Sequence, residues 1–150
     1  MKKLISIIIC FCLVFGVFSC IPQSAFAQTQ ESGIYTYTVK NGEATIVNVD
    51  EFARGDITIP SELGGYPVTK IGSYAFSLSL FTSIVVPNSV TTIGDDAFRY
   101  CPNLESITVE PTTPPSLGQD VFDEISPNAT FIFSNPSAYK NADGWKDLIK

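Results

Sequence analysis

Apolar and polar residues alternate in a pattern that repeats along the middle of the chain. The stretch "VTKIGSYAF" begins at Val68 and "VTTIGDDAF" begins at Val90, a period of 22 residues. The second halves also match, because "FTSIVV" aligns with "LESITV" after a one-residue shift. A weaker third copy contains "SLGQDVF" and "ATFIF", and "DITIP" resembles the strand half of an incomplete first unit. Self-similarity at this period predicts a stacked repeat architecture.

Each unit combines two extended pieces with a turn. In "LESITV", Ile107 and Val109 alternate with Thr108, which indicates a strand with one buried face. "VTTI" is a second short extended piece, and Gly94 then permits a tight backbone turn. The following "DDAF" fits one turn of α-helix or 3₁₀-helix that points Phe98 inward.

The units are expected to share one interior, because no unit of this size buries its apolar face alone. Parallel strands stack about 4.8 Å apart, so equivalent side chains of successive units lie one above another. The alignment therefore predicts a column of aromatic rings at Phe76, Phe98 and Phe122.

Both ends of such a stack must be closed, because an open edge pairs with other chains. At the N-terminal end, two alternating runs flank Asn41-Gly42, a dipeptide typical of a type I′ turn, and predict a capping hairpin. At the C-terminal end, Asn135 and Pro136 suit the N-cap and first position of a helix. A capping helix is predicted there, with apolar residues at every third position: Tyr139, Ala142, Trp145 and Leu148.

The N-terminal segment has the pattern of a secretory signal peptide. Lys2 and Lys3 precede the apolar run "LISIIICFCLVFGVF", and Ala25 and Ala27 occupy the small-residue positions of a cleavage site. The apolar run is 15 residues long, shorter than the roughly 20 residues that a membrane-spanning helix needs. We therefore expect cleavage after Ala27 and no transmembrane span in the mature chain, with a lipid anchor at Cys20 as the alternative.

The predicted organisation is a signal peptide over residues 1–27 followed by a single domain over residues 28–150. Within the domain, we expect an N-terminal cap at 33–60, repeats at 61–134 and a C-terminal cap helix at 135–150. The remaining length suffices for one domain and not for two.

Charge and cysteine content narrow the classes of partner. The chain has 9 basic and 15 acidic side chains, and without Lys2 and Lys3 its net charge is near -8. This balance argues against nucleic acid or an anionic membrane surface as a partner, because both require clustered Lys and Arg. Of the 4 cysteines only Cys101 follows the signal segment, so no disulfide within the domain is expected and the apolar core must stabilise it.

Candidate reactive groups are few, and the sequence contains no histidine. Without a base beside it, Cys101 is interpreted as a small residue packed in its turn rather than a nucleophile. The acidic residues Asp95, Asp96, Asp120, Asp123 and Glu124 are candidates for a calcium site, but calcium needs six to eight oxygens and these residues have no regular ligand spacing, so they are interpreted as solvated turn residues. The "NAT" motif at Asn128 is a glycosylation acceptor only on a eukaryotic secretory route. We predict no catalytic residue, no metal and no cofactor.

The motifs "VTKIGSYAF", "VTTIGDDAF" and "IVVPNSV" resemble the BspA-like class of leucine-rich repeats, found mostly in surface and secreted proteins of bacteria and some protists. The resemblance extends from about Gly33 to Lys150 and includes Cys101 before "PNLESI" and the closing "AYKNADGW". The first unit departs from the class pattern, because Ser79-Leu80 stands in place of a turn that contains cysteine. The resemblance implies a mainly β, short right-handed leucine-rich-repeat solenoid, a role in adhesion or extracellular recognition, and no catalytic residues.

The expected function is that of a secreted or cell-surface, non-catalytic module that mediates protein binding or adhesion. Its partner would be an extracellular protein or glycan. The alternative is a structural spacer, or a fragment of a larger surface protein, without a ligand of its own. Val85 and Tyr100 are the outward apolar candidates. The candidate binding residues are those predicted to face outward from the strands: Thr82, Ser83, Val85, Glu105, Ser106 and Thr108.

Overall fold

The computed structural model describes residues 29–149, so the predicted signal peptide and Cys20 lie outside the described residues. Within this part of the chain, no helix is long and apolar enough to cross a membrane. The strands are β1 (Thr29–Ser32), β2 (Tyr35–Lys40), β3 (Glu43–Val49), β4 (Arg54–Thr58), β5 (Glu62–Leu63), β6 (Tyr66–Ile71), β7 (Leu80–Val86), β8 (Thr92–Ile93), β9 (Ser106–Val109), β10 (Ser116–Leu117) and β11 (Thr130–Phe133), and they are followed by helix α1 (Pro136–Tyr139) and a 3₁₀ turn (Lys146–Leu148).

The strands form two sheets, and the chain alternates between them coil by coil. Strands β4, β7, β9 and β11 form a four-stranded, all-parallel sheet. In the seven-stranded sheet, β3, β6, β8 and β10 run parallel, while β1 and β2 extend one edge in antiparallel fashion and β5 pairs with β6. This arrangement confirms the predicted mainly β solenoid.

The strand register confirms the alignment of the repeats. Ile84 pairs with Ile107, which pairs with Phe131 in the four-stranded sheet. In the seven-stranded sheet Ile93 pairs with Leu117. Equivalent apolar residues of successive coils therefore lie side by side, and each coil covers the buried face of the next.

The predicted aromatic column is present at the centre of the stack. The rings of Phe76 and Phe98 are stacked with centroids 5.1 Å apart, and those of Phe98 and Phe122 with centroids 5.4 Å apart. Phe76 and Phe98 are fully buried and Phe122 is partly buried. Burial of such a side chain contributes about 1.5–3 kcal/mol, so the column ties three coils together.

The turns of successive coils form a hydrogen-bonded layer, the turn stack, made of residues 73–79, 95–101 and 119–125. The prediction of a helical turn at "DDAF" is wrong, because Asp96 and Tyr100 have φ angles of 54° and 57°. Alternate N–H groups donate to the next coil at 2.8–3.0 Å, from Tyr74, Phe76 and Leu78 to the carbonyls of Asp95, Ala97 and Arg99. The neighbouring coil thus takes N–H groups that a helix would have used internally.

Gly94 is required by close packing between coils rather than by the turn itself. A Cβ atom at Gly94 would lie 2.6 Å from the backbone nitrogen of Ser73, and one at Gly72 would lie 2.8 Å from the carbonyl oxygen of Ile46. Real Cβ atoms do not approach backbone so closely. The glycine of the repeat therefore permits the backbones of adjacent coils to touch.

The N-terminal end is closed by the predicted hairpin. Strands β2 and β3 meet at Asn41-Gly42, and both of these residues have positive φ, as a type I′ turn requires. Strand β1, which the sequence did not predict, pairs with β2. The Tyr35 hydroxyl donates to the Thr58 carbonyl at 2.8 Å and so links the hairpin to the four-stranded sheet.

The C-terminal cap differs from the predicted continuous helix over 135–150. Helix α1 ends after four residues, and a separate 3₁₀ turn follows Gly144, whose φ of +77° interrupts the helix. The Asn135 side chain does not cap the helix. The cap is stabilised by docking, since Tyr139 and Trp145 are both buried.

Three side chains of the C-terminal cap bind the proline-rich segment of the last complete coil. Prolines in this segment carry no N–H group, so the segment offers carbonyl oxygens to its neighbours. Nitrogen or hydroxyl donors of the cap satisfy three of them at 2.7–3.2 Å: Asn135 donates to Thr112, Tyr139 to Pro111, and Trp145 to Pro115.

Candidate functional site

The outer face of the four-stranded sheet carries two columns of outward residues, which we call the strand face. Ile57, Ile84 and Ile107 point inward, so the residues on either side of them point outward. One column is Asp56, Ser83, Ser106 and Thr130, and the other is Thr58, Val85, Thr108 and Ile132. The face is thus rich in hydroxyl groups.

The first column contains a local hydrogen-bond network around Asp56. The Ser83 hydroxyl donates to Asp56 Oδ1 at 2.6 Å, and the Thr82 hydroxyl reaches the same oxygen at 3.3 Å. Both hydroxyls face outward because the register skips Thr82, where β7 bulges relative to β4. The carboxylate therefore fixes these two side chains and brings negative charge to this end of the face.

The centre of the strand face is less constrained. Among the described residues, the hydroxyls of Ser106 and Thr108 donate no hydrogen bond. Glu105 lies immediately before β9 and is exposed. These groups are available to bind polar atoms of a ligand.

An apolar residue ends the second column. Ile132 lies on the edge strand β11 with 52% of its surface exposed, and Val85 is half-buried two strands away. The exposed isoleucine gives the face one apolar patch, and its contact with another apolar surface would be favourable because it removes that patch from water.

The structure places four of the six sequence-predicted binding residues on the strand face and the other two, Thr82 and Glu105, beside it. Thr82, Ser83 and Val85 belong to β7, and Ser106 and Thr108 belong to β9, which is its neighbour. Glu105 is aligned with Thr82, whose carbonyl accepts its N–H at 2.9 Å. Their position is therefore as expected, while their role in binding stays a prediction.

Sequence reasoning missed several exposed apolar residues. Besides Tyr100, the residues Phe52, Tyr74, Leu78 and Ile132 are well exposed. The exposure of Leu78 could have been inferred from the sequence, because Leu78 is equivalent in the repeat alignment to Tyr100, which was predicted to face outward. Phe52 lies in the loop between β3 and β4, where no repeat pattern reports on it.

The candidate reactive groups have structural roles. Cys101 is fully buried, its thiol donates to the Phe76 carbonyl at 3.1 Å, and burial raises its pKa to about 11. A neutral, inaccessible thiol is a poor nucleophile. Within residues 29–149, no group of three or more metal-ligating side chains is close enough to hold an ion.

The acidic residues of the turn stack pair with other groups. Arg99 forms ion pairs with Asp96 at 3.0 Å and Asp123 at 3.3 Å, and its guanidinium lies 4.8 Å from the centre of the Tyr100 ring. Asp95 accepts the N–H of Gln119 in the next coil at 2.8 Å. The contacts of Asp123 and Asp95 link adjacent coils, whereas the Asp96–Arg99 pair lies within one coil.

Comparisons with known proteins agree with the architecture. Residues 55–142 match the family model of the BspA type leucine-rich repeat region. A leucine-rich repeat protein from Bacteroides capillosus ATCC 29799 is similar in structure, with a TM-score of 0.53 and 27% identity over 71% of this chain and 98% of that chain. No curated protein gives a significant match.

Two further solved structures are similar to the chain. A leucine-rich cell surface protein from Faecalibacterium prausnitzii A2-165 has a TM-score of 0.57 and 29% identity, over 73% of this chain and 31% of that chain. The leucine-rich repeat protein of T. pallidum has a TM-score of 0.51 and 20% identity, over 73% of this chain and 66% of that chain. The last likeness shows the fold alone.

Proposed function

Since the chain belongs to the BspA-type leucine-rich repeat family, we propose that it is an exported, non-catalytic module that binds a partner protein at the bacterial cell surface. The observation that carries the proposal is the strand face: four parallel strands present hydroxyls, a carboxylate and an exposed isoleucine on one surface. One of the similar structures is itself a leucine-rich cell surface protein.

The strand face has the properties of a small protein-binding surface. Four strands about 4.8 Å apart give a width of roughly 15 Å between the outer strands, which suits the low end of specific interfaces. Ser106 and Thr108 are able to donate and accept hydrogen bonds, and Ile132 supplies an apolar contact at the edge. The carboxylates of Asp56 and Glu105 favour a partner with a basic surface.

The absence of catalysis is part of the proposal. The sequence contains no histidine, and the thiol of Cys101 is buried and neutral. Repeat proteins of this kind use extended surfaces for recognition. The proposal therefore assigns adhesion or recognition to the molecule and no bond-breaking step.

Export is proposed from the N-terminal sequence pattern. Mass spectrometry of the mature N-terminus separates the two routes, because a chain that begins at Gln28 has been released and an acylated Cys20 marks a lipoprotein. A mature protein that retains Met1 and is found inside the cell contradicts export by either route.

Binding is tested with immobilised extracellular-matrix extract as the probe. Thr108→Lys places a charge at the centre of the strand face and is expected to weaken binding at least fivefold with an unchanged melting temperature. Tyr66→Lys is the matched control, because it adds the same charge to an exposed position on the seven-stranded sheet. Equal loss in both variants contradicts a site on the strand face, and absence of binding by the wild type favours the spacer alternative.

A further inference from the structure

In the turn stack, each of the first two turns donates N–H groups to the carbonyls of the next turn along the chain. The first turn, residues 73–79, has no turn before it in the described part of the chain, so its carbonyls at the corresponding positions are left unpaired. The carbonyls of Asp95, Ala97 and Arg99 accept N–H groups from the preceding coil. The equivalent carbonyls of the first coil belong to Ser73, Ala75 and Ser77, and within residues 29–149 no N–H group donates to them. This end of the stack therefore presents hydrogen-bond acceptors.

A groove lies beside this end, between the loop that follows β3 and the first turn of the stack. Its volume is about 630 Å³, and it is lined by Asn48, Val49, Asp50, Glu51, Phe52, Ser77, Leu78 and Ser79. Phe52 and Leu78 expose 74% and 71% of their surfaces. Two large apolar side chains thus stand at the groove without protein atoms to cover them.

Leu78 has a backbone conformation that disfavours leucine. Its φ angle is 60°, in the left-handed region that Gly, Asn and Asp adopt more readily. The equivalent residues of the next two coils, Tyr100 and Glu124, also have positive φ angles of 57° and 54°, so this conformation belongs to the turn stack. The high exposure of Leu78 leaves its apolar side chain available for contact with a ligand.

The polar groups of the groove are acceptors and carry negative charge. Among the described residues, neither Asp50 nor Glu51 has a basic side chain within 4 Å. The nearby Arg54 directs one guanidinium nitrogen to the carbonyls of Glu51 and Ala53. Asp50 Oδ1 accepts the backbone N–H of Phe52 at 2.8 Å, which fixes the backbone of the loop beside the groove.

From these observations we propose that the groove binds an arginine side chain presented by a protein partner. A guanidinium offers only donors, which complements the carboxylates and the free carbonyl of Ser77. Its planar face stacks on aromatic rings, and Phe52 provides such a ring. The chain already contains this contact elsewhere, because Arg99 lies over the ring of Tyr100.

The probe is the peptide acetyl-Leu-Arg-Leu-amide, titrated into the purified protein expressed from the full-length sequence, with backbone amide shifts as the readout. Saturable shifts are expected at Phe52, Ser77 and Leu78. The isosteric citrulline peptide, which lacks the charge, is expected to bind at least tenfold more weakly. Equal binding of the citrulline or lysine peptide, or shifts confined to other surfaces, overturns the proposal.

Variants of the protein localise the interaction. Leu78→Asn is expected to weaken binding of the arginine peptide at least fivefold. It should not lower the melting temperature, because asparagine tolerates positive φ. Glu51→Gln changes an exposed side chain, is expected to fold normally, and should weaken binding several-fold. Tyr66→Ser removes an exposed aromatic on another sheet and serves as the control. Wild-type affinity in both groove variants overturns the proposal.

The groove and the strand face are tested independently. Thr108→Lys is expected to leave the peptide titration unchanged, because it alters the strand face alone. Loss of peptide binding in Thr108→Lys contradicts a separate groove site. If the wild type does not bind the matrix extract, the strand-face proposal is contradicted, and the result of the peptide titration still decides the groove proposal.

Discussion

At the residue scale, the reactive and charged side chains inside the stack are either neutral or paired with an opposite charge. Cys101 is buried against the Phe76 carbonyl, and the Arg99 guanidinium bridges two carboxylates of adjacent coils. Burial and pairing of this kind serve cohesion between coils. The residues with unused bonding capacity lie instead on the strand face and at the Phe52–Leu78 groove.

The burial of Cys101 predicts a loss of stability at high pH. Its pKa rises from 9.0 to about 11 on folding because burial disfavours the thiolate. Between these pH values the unfolded chain releases a proton that the folded chain retains, so the free energy of unfolding falls as the pH rises. Below pH 9 this group has no effect.

Urea unfolding at pH 8 and pH 10.5 measures the effect. Over this interval the free energy of unfolding of the wild type should fall by about 2 kcal/mol more than that of Cys101→Ala, since each pH unit contributes roughly 1.4 kcal/mol. Tyr35 and Tyr139 also have pKa values raised to about 12 by burial, and their contribution is common to both proteins. A parallel decline in the two proteins would refute the assignment to Cys101.

At the element scale, the C-terminal cap acts through side-chain donors rather than through helix length. Helix α1 has only four residues, too few for a helix to persist alone. Tyr139 and Trp145 bind carbonyls of the last coil and pack against each other with ring centroids 5.2 Å apart. The cap therefore depends on docking onto the solenoid.

Tyr139→Phe tests this dependence. The substitution keeps the ring and removes the hydroxyl that donates to the buried Pro111 carbonyl at 2.7 Å. We expect a loss of about 1–3 kcal/mol in urea unfolding, because a buried acceptor is left without a partner. Tyr66→Phe is the control, since Tyr66 is exposed, and it should change stability by less than about 0.5 kcal/mol.

The strands of the repeats and the Asn41-Gly42 hairpin were predictable from the sequence, whereas strand β1, the turns of the turn stack and the shape of the C-terminal cap were not. Alternation around Ile84 and Ile107 fixes both the buried face and the register, because adjacent repeats carry the same pattern. The conformation at Asp96 and Tyr100 depends on hydrogen bonds to a coil more than 20 residues away, which local patterns do not report. The three-residue spacing from Tyr139 to Leu148 suggested one helix, but docking contacts and Gly144 produce two separate turns.

At the scale of the whole molecule, the residues that hold the coils together lie in the interior, and the residues proposed to bind partners lie on the surface. The interior is shared between coils through the aromatic column and the aligned aliphatic residues. The strand face was predictable, because outward positions follow from strand alternation. The groove was not predictable, because the free carbonyl of Ser77 arises only where the turn stack ends, and Phe52 lies outside the repeats. Two surfaces with different chemistry therefore belong to one small solenoid.

The account depends on the contact of successive coils through one aromatic column. Nuclear Overhauser spectra of the folded protein with labelled phenylalanine measure this contact directly. We predict cross-peaks between the rings of Phe76 and Phe98 and between those of Phe98 and Phe122, whose centroids lie 5.1 Å and 5.4 Å apart, and none between Phe76 and Phe122. A folded protein that lacks both neighbouring cross-peaks would contradict the stacked solenoid and every surface derived from it.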